Sequence, residues 1–527
     1  MAGSTDLYEL IGTLSKMEKR YCRLMLEAGT GRKARSCLRL FEILTAVDRL
    51  NESDVRAAVA NETFAGHLAV TKNNLYEHLL RSLCSFGTAG GALARIRSLT
   101  EGAEILSDRG LHRQARERLR AARDLAERYG HLPEQLTLAR LDWYLDSQSA
   151  YADSCRARLI ERRDHVRSIV EGISNYWDHL HLFAMISYEL VQRGPGGGEA
   201  RQRVQEIVHG PLARMAPPST TGARRYHMEA MRLYHMLTAR YNDGYRHSVQ
   251  HLAFVESQPM HERLELYNYI TLLFTHVVLA VKTGRNAEAH RAYNTLCALE
   301  PRTRMRRVQQ AQLAFCCRME LLLIDYQHEA LAAMREELDE LCSRDRNGFA
   351  AQLRMGYLTD LAYAQFVNGC LGDAIRTLHP LINGYRPGFR DDILCVARLL
   401  MLMIHYDAGN LELLPYLIRS TFRFIARCRG ISAADRAVLG FMRRLPNICT
   451  QEELIAAFAL AHDELAAIAV DPAQEQGSAI ACILPWLQSR ITGRPFGEVA
   501  REARRAMVME EGDRIDASCE AEMAVHA

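Results

Sequence analysis

Little in this chain breaks a helix or marks chemistry. Only 14 of its 527 residues are proline, and most fall between helical segments, as at Pro133, Pro259, Pro301, Pro387 and Pro446. β-branched alternation is scarce, so no strand is expected. The longest apolar run, Ile270 to Val281, is interrupted by Thr271, Thr275 and His276. A membrane helix needs roughly 20 apolar residues, so no membrane insertion is expected. Asp6 and Glu9 stand where a signal peptide would be apolar, which reads as a cytoplasmic chain. The 14 cysteines include no CxxC pair; zinc spacing is absent and the thiols read as reduced and buried. A net charge of +3 is too small to imply nucleic acid or an anionic membrane. H-E-x-x-H and G-x-S-x-G are missing, and no carboxylate pair stands out. No catalytic residue, metal or cofactor is therefore expected, and the chain is not read as an enzyme.

What is present is a ladder of small residues: Ala115, Ala157, Ala200, Ser248, Ala289, Ala330 and Ala374, closing with Leu414. The steps average roughly 43 residues, a period that signals stacked helix pairs rather than one globular core. Almost every segment shows helical periodicity, so the fold class is all-α. In the fullest unit, Gly284 ends a first helix and Ala289 opens the second. Tyr293 and Leu296 fill the interface, and Pro301 stops the pair. Gly110, Ala115, Leu119 and Ala122 repeat those offsets, as do Gly369, Ala374, Leu378 and Leu381; Gly409, Leu414 and Ile418 are a weaker copy.

These residues resemble the tetratricopeptide (TPR) repeat over about residues 92–425, with steps longer than the usual repeat and without most of its first-helix aromatics. The resemblance implies an α-solenoid of antiparallel helix pairs. The chain then divides into a helical N-terminal module (1–90), repeats (91–428), a C-terminal helical cap (429–510) and a tail (511–527). Ser15 and Glu18 form a capping box that starts a helix at Lys16, and Gly87 to Gly91 reads as a linker. The opening Asp6–Tyr21 and the late Trp486–Phe496 resemble the two ends of a family of uncharacterised bacterial helical-repeat proteins, a likeness that carries no activity and no site.

Two sets of residues suggest function. In a TPR-like repeat, positions three, six and ten before the glycine line a groove. Here they include Phe274, Val278, Tyr363, Phe366, Met403 and Tyr406. That groove is apolar and suits an amphipathic helix of a partner, or else the chain's own helix near Ala479–Ile491. The second set lies in residues 64–79, which resemble a helix-turn-helix. Thr71 would cap its second helix, Leu68, Val70, Leu75 and Leu79 would form its core, and Thr71, Lys72, Asn73, Asn74 and His78 would face nucleic acid. A single long helix or a plain hairpin feeding the repeats is the plainer alternative, and the turn position holds Ala69 instead of glycine. The arginines from Arg113 to Arg128 interleave with Glu117, Asp124 and Glu127 and read as a solvated face. The pair His247 and His251 has metal-ligand spacing but reads as ordinary polar positions.

Together these features imply a non-catalytic cytoplasmic scaffold or adaptor with an unidentified protein partner. The alternative is a nucleic-acid-associated regulator that reads with residues 64–79 and uses the repeats as sensor or oligomerisation arm.

Overall fold

The computed structural model describes residues 4–46, 52–87, 91–148, 151, 155–193, 198–210, 215–238, 240–258, 268–301, 303–343, 349–385, 390–428, 432–470 and 478–506. The linker at 88–90, most of the loop Gly194–Gly198 and the tail 511–527 lie outside them. Among the described residues the protein is all-helical, with no strand. The chain divides into two compact units, Met1–Ser174 and Asn175–Ala527.

In the first unit, helix Lys16–Glu27 starts where the capping box places it. Glu18 N–H donates to Ser15 Oγ at 3.2 Å, and Ser15 N–H donates to Glu18 Oε2 at 2.7 Å. Helices Ser4–Thr13, Lys16–Glu27, Arg32–Ala46 and Leu68–Gly87 enclose a core that includes Leu7, Leu26, Phe41, Leu75 and Leu79. A separate core between helices Ala92–Asp108, His112–Arg128 and Leu132–Gln148 is built around Ile96, Ala115, Leu119 and Leu138.

The glycine turns recur with one geometry. Gly110, Gly284, Gly369 and Gly409 have φ of +72°, +73°, +78° and +75°. In each, the glycine N–H bonds the carbonyl three residues back and the next residue's N–H bonds the one five back, as in Gly369 to Phe366 and Cys370 to Gln365. This closes the first helix with its last carbonyls satisfied, in a conformation that costs glycine little. The residue five after each glycine (Ala115, Ala289, Ala374 and Leu414) is fully buried. Gly130 adds a fifth turn of the same kind, with Gln135 in the corresponding place.

Elsewhere the ladder needs correcting. Tyr326 takes the glycine's left-handed place at φ +52°, Gln327 N–H bonds Leu322 O, and Leu331 instead of Ala330 holds the buried position. In the unit before Gly284, Arg240 N–H bonds His235 O, which puts Gly244 in register and Ser248 one turn further on. A Cβ on Gly244 would meet Leu279 Cδ2 at 3.1 Å and His235 Cβ at 3.2 Å, so this crossing is tight enough to select glycine. Ala157 is exposed in the first turn of helix Arg156–Arg193, one 38-residue helix with no pair turn, and the side chain of Ala200 is outside the described residues. A spacing count alone cannot distinguish an alanine on the turn register from one a residue or a helical turn away.

In the second unit, helices contact their immediate neighbours in sequence, and the pairs from Tyr269 to Cys428 also contact the next helix but one in several places. Helices Tyr269–Lys282 and Asp391–Asp407 are buried on most sides; the latter buries nine residues from Leu394 to Ile404. One continuous core runs from Phe315 to Ala500 and therefore includes the C-terminal helices Ala433–Arg444, Gln451–Val470 and Ser478–Thr492. A last helix covers residues 496–506.

Candidate functional site

Of the apolar positions expected to line a groove, Tyr363, Phe366 and Tyr406 are packed against the chain's own C-terminal helices in the second unit. Trp486, 1% exposed, packs its ring edge-on to Tyr406 at 5.9 Å and to Phe458 at 5.4 Å. Its indole N–H donates to Asp407 Oδ2 at 3.1 Å, and Arg490 of the same helix pairs with that carboxylate. Met403 is buried in the same core. Further along, Phe496 sits edge-on to Phe366 at 5.0 Å and to Tyr363 at 6.3 Å. Gly497 lies so close to the end of helix Phe349–Val367 that a Cβ there would meet Val367 O at 3.1 Å. Phe274 packs partly against the same core, and Val278 is half-buried.

Polar contacts fix the register of helix 496–506. Arg501 donates to Asn368 Oδ1 at 3.0 Å, while Asn368 Nδ2 donates to Tyr326 O at 2.8 Å. Arg504 donates to Leu323 O at 3.0 Å and lies over the Tyr326 ring. The left-handed tyrosine that replaces a turn glycine is thus also the seat of an arginine. Lys282, Glu320, Asp360 and Arg504 interact nearby: desolvation, then the charge of Glu320, pushes Asp360 up to about 7, while Glu320 holds Lys282 above its usual range. The helix Ala479–Ile491 was legible as a filler of this face; helix 496–506 was not, because its apolar residues are few and its anchoring is by arginines.

The residues expected to face nucleic acid lie in the first unit, and their surroundings differ from a helix-turn-helix. A short 3₁₀ turn, Ala65–His67, leads directly into one helix, Leu68–Gly87. Thr71 Oγ1 donates to His67 O inside that helix, so it is not a cap, and Val70, expected in the core, is 60% exposed. With alanine at position 69 nothing interrupts the helix. Lys72 is 6% exposed; its Nζ pairs with Glu52 Oε2 at 2.7 Å and lies 4.9 Å over the Tyr8 ring. Tyr8 and Arg56 also donate to Glu52, and these bonds, led by that from Lys72, bring the carboxyl down to about 2. Glu52, Arg56, Lys72 and Asn73 line a cavity of about 490 Å³. Asn74 and His78 are half-buried on the same helix. The lysine's charge is spent inside the fold, where it ties three helices together.

Two features were missed by the sequence reading. Arg116 and Arg123 do not form a solvated face: they pair with Asp146 and Asp142, each at 2.6 Å, and Arg162 pairs with both carboxylates. The partners lie 16 to 30 residues apart in the chain, beyond any helix spacing rule. The second is a buried polar layer in helices Thr221–Leu237, Tyr241–Glu256 and Tyr269–Lys282. Arg232 is 2% exposed beside the buried Glu229, His235 stacks on His247 at 4.9 Å, and Ser248 Oγ shares a 2.8 Å hydrogen bond with His276 Nδ1. Burial pushes His251 down to about 3 and His235 and His276 to about 4; the neighbouring charge of Arg232 adds to the effect at His251 and His276, and that of His247 at His235. Among the described residues, no group of three or more His, Cys, Asp or Glu side chains is placed to hold a metal.

No family model matches the chain, and neither does any curated protein or solved structure. Among the described residues no helix is long and apolar enough to cross a membrane.

Proposed function

We propose that the chain is a non-catalytic scaffold or adaptor of the cytoplasm, built on a TPR-like array of stacked antiparallel helix pairs, that holds a protein partner on its repeat surface. The observation that carries this reading is the docking of the C-terminal helices through Trp486 and Phe496 onto Tyr406, Tyr363 and Phe366. A repeat face that binds helices through aromatic contacts is the recognition mode expected of such arrays. Because that stretch is occupied by the chain itself, the partner is held at another part of the repeats. The nucleic-acid reading has less support, since Lys72 is buried against Glu52.

Affinity capture of the full chain from its native cytoplasm, with and without nuclease, tests the proposal. Partner proteins that survive nuclease support it. Loss of every captured protein on nuclease treatment would sink it in favour of the nucleic-acid regulator.

A further inference from the structure

Helix Leu414–Cys428 contains three charged residues, and all three are arginine: Arg419, Arg423 and Arg427. Four-residue spacing puts them on one face, about 6 Å apart along the axis. All three are exposed, while Leu414, Ile418, Thr421 and Ile425 bury the opposite side. With Tyr416, Phe424 and Arg398 from helix Asp391–Asp407 they line a cavity of about 360 Å³. None of the four arginines has an ion-pair partner among the described residues. Arg398 is oriented: its guanidinium stacks 4.4 Å from the Phe424 ring centre, Nη2 donates to Ile382 O, and the buried Nε has no partner. By contrast, the arginines that meet Asp142, Asp146 and Asp407 are answered by carboxylates. Arg427 and the Asp391 carboxylate both bond the Cys428 thiol; with no ion pair to any of the four guanidinium groups among the described residues, the concavity is a basic site open to an anion.

We infer that this arginine stripe is the docking site for an extended, acidic segment of a partner protein. The inference deepens the scaffold reading and rests on it for the choice of a protein ligand. Alternate side chains of an extended chain stand about 6.6 Å apart, close to the spacing of the arginines, so an acid at every second position meets successive guanidinium groups. Leu413 and Tyr416, 50% and 67% exposed at one end of the stripe, offer apolar surface to a peptide side chain that follows the acids on the same face. Duplex nucleic acid fits less well, because its binders commonly neutralise about six to ten phosphates and this stripe is only about 12 Å long.

Fluorescence anisotropy of the full chain with a labelled alternating Glu–Ser peptide tests the inference. Two variants with equal charge loss are compared: Arg419→Gln/Arg423→Gln/Arg427→Gln, and Arg118→Gln/Arg120→Gln/Arg128→Gln on the exposed face of helix His112–Arg128. The stripe variant is expected to weaken binding about tenfold or more, and the control to stay within about twofold. No binding by the native chain, or equal weakening in both variants, overturns the inference. So does tighter, stripe-dependent binding of a single-stranded oligonucleotide, which would assign the site to nucleic acid. Concentration-dependent self-association that the stripe variant abolishes would overturn it by making a second copy the occupant. The scaffold reading is decided separately: a capture emptied by nuclease removes that reading even where the peptide binds, and a peptide that fails to bind leaves the capture result standing.

Discussion

The helix pairs around Gly110 and Gly369 use the same turn and the same five-residue offset to a buried alanine, yet they are held in different ways. In the first, the buried stripe of helix His112–Arg128 is narrow and alanine-rich, and Arg116 and Arg123 reach to Asp146 and Asp142 to join it to the next helix. In the second, the first helix, Phe349–Val367, is apolar on several faces, as is Asp391–Asp407 beyond the pair, and both are covered by helices far along the chain. The turn sets how two helices cross. The remaining faces decide whether the pair is sealed by ion pairs or needs a covering helix.

Four measurements would break or sharpen that contrast. The largest effect is expected from acid on the buried histidine layer of the second unit. His235, His251 and His276 have pKa values depressed below the unfolded value near 6.5. Unfolding therefore takes up protons below that value: the full stability is present above about pH 6.5 and is lost toward about pH 4 for His235 and His276 and about pH 3 for His251, at about 1.4 kcal/mol per pH unit for each histidine. Urea midpoints followed by circular dichroism should fall steeply between pH 7 and pH 5, and a flat profile would count against buried neutral imidazoles. Next, Trp486→Ala should cost about 3–5 kcal/mol and raise hydrogen exchange in Leu399–Tyr406 while leaving helix His112–Arg128 unchanged; uniform exchange changes would mean the cover is not local. Asp146→Asn removes the carboxylate that Arg116 and Arg162 share and should cost about 3 kcal/mol, read as loss of protection confined to the helices around Ala115. If it proves neutral, the pairs add nothing to the alanine core. The smallest effect belongs to Gly369→Ala. Nothing stands within 4 Å of the added Cβ, but φ of +78° costs about 1 kcal/mol, measurable as a small drop in thermal midpoint.

The sequence was informative wherever the signal was local. The capping box at Ser15 and the four glycine turns follow from interactions within a few residues. It was silent where contacts span the chain. No spacing rule leads from Arg116 to Asp146, from Trp486 to Asp407, or from Arg504 to Leu323. Tyr326 shows a third limit: a tyrosine in a left-handed turn breaks the glycine pattern, and its reason lies in the ring contacts with Tyr363 and Arg504. The positions expected to line a groove were chosen by their register before each glycine, a local signal, whereas what covers them was only partly legible.

Helix 496–506 is joined to helix Ser478–Thr492 by only a few residues. Such a short tether gives a bound segment an effective concentration on the order of millimolar. A free helix of equal intrinsic affinity would have to reach that concentration to displace it from Tyr363 and Phe366. The covered stretch is thus insulated against casual amphipathic helices, and only a ligand that binds far more tightly, or a cut between residues 492 and 496, would open it.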